Sequence, residues 1–311
     1  MTNAGAEWMR GRAEWRLARR SVVLGERTLV MGVVNITPDS FSDGGRFAAP
    51  EQAVEHGLRL LDEGADLLDL GAESTRPGSK AGLGAGYVAV SAGEEQARLL
   101  PVLEGLLRAR PGALLSVDTY KAATARAALL SGAEIVNDVS GFLWDGEMAG
   151  VCAESRCGVV LMHTRGRPDE WGLQPRLAAE AVLPMVLAEL GAVLESAVAA
   201  GVTREAIVLD PGYGFGKRFG ENFALMRGQR ALFELGRPLL VGVSRKSFLT
   251  KRLEAAGVVD ADGRVNAGAR EVASIAALVG AILAGASVVR VHEAGAARAA
   301  AAIADALLPD H

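Results

Sequence analysis

The sequence predicts an α/β protein, a single-domain (β/α)8 TIM barrel with an N-terminal arm or hairpin, and three observations predict it. Short apolar runs alternate with longer helix-like stretches along the chain, and strict alternation implies parallel strands joined by right-handed crossovers. Eight such repeats occupy about 280 residues, which suits a closed barrel. A polar or charged residue closes every apolar run, at the strand end where a barrel collects its active site. An open doubly wound sheet is the structural alternative.

Composition bounds the answer further. The 311 residues are 50% hydrophobic with a mean hydropathy of +0.22, enough for a large core. No apolar run of 18 or more residues is free of charge and the first 20 residues hold no continuous apolar segment, so neither a spanning helix nor a secretory signal is expected. A cytoplasmic protein follows as the expectation. Cys152 and Cys157 are the only cysteines, which excludes a disulfide scaffold and gives no zinc spacing. A net charge of -4 and a pI near 5.7 argue against nucleic acid or an anionic membrane as partner. Any bound anion must be held by a few placed cations.

Residues 1–20 are basic and tryptophan-bearing, and are expected to form an arm or a lid on the barrel's underside, with the barrel itself over residues 21–308. Residues 21–34, SVVLGERTLVMGVV, are expected to make a hairpin turning at Gly25 and Glu26. The first barrel strand, TLVMGVVN, is rich in Val and ends at Asn35, whose side chain can offer an oxygen to a hard cation or an amide to an anion. A loop of turn formers and polar side chains follows, with one aromatic, Phe41. Helices are expected from near Pro50, Ala92, Lys121, Gly146, Leu177, Asn222, Gly268 and Ala294. Between them lie ADLLDLG, followed by Glu73 to Gly78; ALLSVD, ending at Asp118; and AEIVND, ending at Asn137 and Asp138. CGVVLMH then ends at Met162 and His163, AIVLD at Asp210, PLLVGVS at Ser244, and SVVRVH carries Arg290 and His292.

Singly, each polar end has an ordinary explanation: Asp118 and Thr119 as a helix cap, Asp210-Pro211-Gly212 as a turn, His163 as a core histidine. Eight of them on one rim are harder to explain as separate caps. Arg290 and His292 are two apart on a strand and project to one side, with Val289 and Val291 on the other. A buried arginine demands an anion, either a structural carboxylate or a substrate phosphate, which suits the guanidinium fork. A phosphate role predicts that Arg290→Met abolishes turnover with little loss of stability. Arg245 and Lys246 precede a segment that can begin a helix at Ser247, whose amides can receive an anion. Arg76 is a further cation, while Asp118, Asn137 and Asp210 suit a flat, amino-bearing ring. Tyr213 and Phe215 either wall that ring or pack beneath their loop.

These stretches resemble the dihydropteroate synthases of folate biosynthesis. The resemblance is carried by MGVVNITPDSFSDGG, DLLDLGAESTRPG, LLSVDTYK, EIVNDVSG, VLMH, VLDPGYGFGK, VGVSRKSF and VVRVH, in the family's order from Leu29 to His292. It implies a barrel, usually dimeric, that joins 6-hydroxymethyl-7,8-dihydropterin diphosphate to 4-aminobenzoate, needs Mg²⁺ and is a sulfonamide target. It implies that Asp118, Asn137, Asp210 and Lys246 hold the pterin, with Arg290 on its face and Met162 and Phe215 lining the pocket. Diphosphate falls to Asn35 with Mg²⁺, and to Thr75, Arg76, Arg290 and His292. The aminobenzoate falls to Phe41, Thr75, Pro77, Phe215, Lys246 and Ser247. Two departures stand out: the glycine-rich stretch after Gly78, and Thr164 after His163. A barrel of the methyltetrahydrofolate methyltransferase type has no need of Arg76, Lys246 or the Arg290 and His292 pair, and a non-catalytic pterin-binding paralogue no reason to keep buried cations.

Overall fold

The computed structural model describes residues 10–36, 45–73 and 90–309. Within them, eight parallel strands close into a barrel in the order β10-β3-β4-β5-β6-β7-β8-β9. They are β3 (Leu29–Asn35), β4 (Leu67–Gly71), β5 (Leu115–Asp118), β6 (Ile135–Asp138), β7 (Gly158–Met162), β8 (Ile207–Asp210), β9 (Leu239–Val241) and β10 (Ala286–Val291). Each coincides with one of the apolar runs, because a strand covered by helices outside and side chains inside is buried on both faces. Outward residues such as Val30, Val34, Leu68 and Leu70 meet the helices. Inward residues divide by height: Met31, Leu67, Ile135, Val160, Val208, Leu240 and Val288 form an apolar lower layer, and polar side chains lie above.

The underside is closed by the N-terminal segment, as an arm or lid there requires, but the expected hairpin over residues 21–34 is not formed. Instead β2 (Ser21–Leu24) pairs antiparallel with β1 (Ala13–Arg16), putting Trp15 opposite Val22. β3 is paired on both sides, with β10 and β4, and has no edge left for β2. Ala13, Trp15, Val22 and Leu24 share the face turned to the barrel; Trp15 and Leu24 are fully buried. Trp15 Nε1 donates to the carbonyl of Ala206 at 2.8 Å. The close approach explains Gly158, where an added Cβ would lie 2.2 Å from Leu17 Cδ2.

The described helices are α1 (Gly45–Asp62), α2 (Ala92–Ala109), α3 (Ala122–Leu130), α4 (Met148–Ser155), α5 (Ala179–Ala199), α6 (Phe219–Gly228), α7 (Ser247–Ala255), α8 (Ala267–Leu283) and α9 (Ala294–Ala306). The sequence pattern predicts eight, and α7 is the addition, a short helix between β9 and α8. α1 begins ahead of Pro50 and α6 ahead of Asn222. α5 has the length and apolar composition of a membrane-crossing helix, but its Val182, Val186, Leu190 and Leu194 pack in the helix-to-barrel layer as those of a crossover helix do. Cys152 and Cys157 are free and buried, as expected of core residues.

Candidate active site

The strand ends converge on a cavity of about 260 Å³ at the barrel mouth. Asn35, Asp118, Asn137, Met162 and Asp210 line it from β3, β5, β6, β7 and β8. Phe215, Lys246 and Ser247 line it from the loops after β8 and β9, and Arg290 and His292 from β10 and its end. Thus ten of the predicted residues meet at one place. Phe41, Thr75, Arg76 and Pro77 lie outside the described residues. A larger, more open groove of about 1170 Å³ lies between α6 and α7, flanked by Phe219, Phe248 and Lys251. No strand end reaches it, so the smaller cavity carries the chemistry.

Arg290 is tied into an ion pair, the structural-carboxylate alternative of the sequence reading. Its Nε donates to Asp69 Oδ2 at 2.6 Å and its Nη2 to Asp118 Oδ2 at 2.7 Å. The same Asp69 oxygen accepts Asn137 Nδ2 at 2.9 Å. Burial disfavours the charged carboxylate and pushes the Asp118 acid up to about 7, with Arg290 opposing and the charges of Asp69, Glu95 and Asp138 adding. Burial also pushes Asp210 up to about 6, against a 2.7 Å hydrogen bond from the Gly212 amide and the charges of Lys246, Lys217 and Arg290. Despite its burial, Arg290 is held more firmly protonated than a free arginine by Asp69 and Asp118.

The loop after β8 is fixed by groups below it. Gly212 has φ +68°, and a Cβ there would sit 1.8 Å from the His163 carbonyl, so no other residue fits this turn. Lys217 Nζ donates to the carbonyl of Gly212 at 2.8 Å and reaches that of His163 at 3.4 Å. Its burial lowers the ammonium to about 7, with Asp210 opposing. The two loop aromatics separate: Phe215 faces the cavity, while Tyr213 is buried below and donates its hydroxyl to Gln229 Oε1 at 2.8 Å. Lys246 Nζ lies 3.8 Å from the Phe215 ring centroid, and Trp171 packs edge-on against the same ring.

Ser247 opens α7 and lines the cavity, so a helix N-terminus, which leaves amides unspent, lies at the mouth. Arg245 also lines the cavity, with its guanidinium paired to Glu293 and Glu271. On the far side, His292 Nδ1 and Ser244 Oγ are hydrogen-bonded at 2.9 Å beside Asn35. Asn35 offers one hard amide oxygen, and among the described residues no cluster of three or more His, Cys, Asp or Glu could cage a metal. One amide oxygen is a ligand type that Mg²⁺ accepts, and by itself it supplies only part of an oxygen shell.

Asp69, Lys217 and Trp171 escaped the sequence reading. Asp69 is one of two aspartates in DLLDLG, which only the barrel register tells apart; Lys217 stands in a glycine-rich motif already singled out; Trp171 had no signal.

The family model for pterin binding enzyme matches residues 31–292. The dihydropteroate synthase of Mycobacterium leprae is 44% identical over 269 residues, 85% of this chain and 87% of that protein. The structure of Xanthomonas albilineans dihydropteroate synthase with 4-aminobenzoic acid superposes with a TM-score of 0.82 at 38% identity, covering 96% of this chain and 100% of the other. The same enzyme in complex with 7,8-dihydropteroate gives 0.79 at 36% identity, over 95% and 100%.

Proposed function

The chain belongs to the pterin-binding enzyme family and matches its dihydropteroate synthases over most of its length, and from that premise we propose how its own residues carry the reaction. It is a transferase that condenses 6-hydroxymethyl-7,8-dihydropterin diphosphate with 4-aminobenzoate, giving 7,8-dihydropteroate and diphosphate. One observation carries the residue assignment: the carboxylates of Asp118 and Asp210, the amides of Asn35 and Asn137, and the cations of Lys246 and Arg290, from six different strand ends and loops, line a single cavity.

Asp210 and Asp118 accept from the amino-pyrimidinone edge of the pterin, with Asn137 and Lys246 beside them. Met162 and Phe215 cover its faces, and Arg290, released from Asp118, lies over the ring. The diphosphate meets Arg290, His292 and Asn35. Asn35 would hold Mg²⁺, which when bound would supply charge neutralisation for the departing diphosphate. The bond from the pterin methylene to diphosphate oxygen breaks, and one from the methylene to the aryl nitrogen forms. Arg290 and His292 stabilise charge gathering on the leaving oxygens, an effect strengthened where water is excluded. The reduced pterin delocalises the cation on its methylene, so no protein nucleophile is needed; the amine's proton leaves with diphosphate or to solvent. Ser247 receives the aminobenzoate carboxylate at the start of α7, and Phe215 and Lys246 wall its ring.

The resemblance alone supports Thr75, Arg76, Pro77 and Phe41 as the remaining contacts. It also supports a cytoplasmic homodimer whose aminobenzoate site accepts sulfonamides. The test is diphosphate release by the purified chain, which should require 4-aminobenzoate, the pterin diphosphate and Mg²⁺ together. A methyltransferase barrel or a binding paralogue would release none.

A further inference from the structure

We propose that Asp69 is a positioning residue, whose one buried oxygen aims both Arg290 and Asn137 at the pterin. The proposal rests on the dihydropteroate synthase reading and adds to it a residue that touches neither substrate.

Asp69 is the middle residue of β4, a strand buried along its whole length, and it is itself fully buried. Its register partners are Val33 on β3 and Ser116 on β5, so its side chain stands in the barrel interior, beneath the mouth. Oδ2 accepts from Arg290 of β10 and Asn137 of β6. Oδ1 is buried without a hydrogen-bond partner among the described residues, as is the neighbouring Ser116 Oγ. A pair built only for stability would use both oxygens against both arms of the guanidinium fork. Here the fork is divided. Its Nε edge goes down to Asp69, and its Nη2 edge goes to Asp118, which is 22% exposed and lines the cavity.

Two consequences follow. The Asp118 half of the arrangement is exchangeable, because pterin competes for that carboxylate, while the Asp69 half has no competitor and holds Arg290 in place. An asparagine amide can present either end, and the acceptor below Asn137 draws Nδ2 downward, leaving Oδ1 to accept from the ligand. Asp69 thereby makes Asn137 an acceptor for an amino-bearing ring.

The experiment compares Asp69→Asn, which keeps the shape and removes the charge, with Ser116→Ala in the same buried layer. Pterin binding by calorimetry and steady-state constants for both substrates are measured. Asp69→Asn is expected to weaken pterin binding by about tenfold or more, the scale of a weakened charge-assisted hydrogen bond, and to lower kcat, with the KM for 4-aminobenzoate unchanged. The acid limb of pterin binding should also move to lower pH. Asp118 faces Arg290 from β10, Asp69 from β4, Glu95 from α2 and Asp138 from β6, and removing the Asp69 charge lets it ionise more readily. Ser116→Ala should change none of these. Pterin affinity within twofold of the parent, or an equal loss in Ser116→Ala, overturns the proposal.

A measurement on the parent protein stands whether or not Asp69→Asn folds. With arginine labelled at ¹⁵Nε, the Arg290 Nε–H signal should stay downfield and protected from exchange when pterin binds. Loss of that protection would show that Asp69 does not hold Arg290 in the working site. A parent enzyme with no turnover would refute the activity and leave these binding readouts to decide the role of Asp69.

Discussion

Arg290 and Asp118 meet at 2.7 Å across the barrel mouth, from strands β10 and β5 that are not neighbours. The proposed substrate competes for this contact: pterin takes the carboxylate and frees one edge of the guanidinium.

The contact alters what Arg290→Met should do. A phosphate role alone predicts lost turnover in a stable protein, but this change also leaves the fully buried Asp69 without its cation. Breaking a buried pair costs about 3–5 kcal/mol, and part is recovered when Asp118 takes a proton. Thermal unfolding should therefore show a large Tm loss at about pH 8 and a smaller one near pH 5.5. Equal losses at both would mean that the carboxylates do not depend on Arg290.

Proton release should accompany pterin binding. Asp118 and Asp210 titrate near 7 and 6 in the folded protein, above the ordinary carboxyl value of about 3.9. The folded state thus holds protons that the unfolded chain has lost. The stability they contribute is complete below pH ~4 and lost as pH rises through 6 to 7. Pterin needs both groups as acceptors, so calorimetry in buffers of different ionisation enthalpy should find release at about pH 6 and almost none at about pH 8.5.

Asp210→Asn should weaken pterin binding by about 2–4 kcal/mol, since one acceptor becomes a donor facing a donor in a buried site. The Gly212 amide now donates to Asp210 Oδ1, and the variant can keep that bond with its remaining oxygen. The fold should survive, and unchanged affinity by calorimetry would remove Asp210 from ring recognition.

Much of this was legible in the sequence because parallel barrel strands are continuous apolar runs, each stopped by the polar residue it presents at the mouth. Asn35, Asp118, Asn137, Asp210 and Arg290 were visible that way. Asp69 was not, because DLLDLG carries two aspartates and only barrel register separates them: Asp66 pairs outside with Arg27, whereas Asp69 points in. The hairpin was misplaced because β2 and β3 are consecutive and apolar, and nothing local reveals that β3 has both edges taken by β10 and β4. The helix start at Ser247 was legible, but α7 did not count among the eight expected helices because it is short and precedes the longer α8 that the periodicity shows.

Substrate binding should be ordered. Thr75 and Pro77 flank Arg76 in the chain, and Phe41 follows Asn35 by six residues, so the segments assigned to the aminobenzoate are those assigned to diphosphate. Labelled 4-aminobenzoate should bind weakly alone and much more tightly with Mg²⁺ and diphosphate present. Equal affinity in both conditions would indicate a preformed aminobenzoate site.

The most direct measurement is the ratio of products. Purified protein given pterin diphosphate, 4-aminobenzoate and Mg²⁺ is sampled over time, with diphosphate and 7,8-dihydropteroate quantified from the same reaction. If the mouth holds the ring on Asp118, Asn137 and Asp210 while Arg290 and His292 take the leaving group in a pocket closed to water, the two products appear one for one. Diphosphate accumulating without dihydropteroate would mean that water, not the aryl amine, captures the pterin methylene, and would contradict the account.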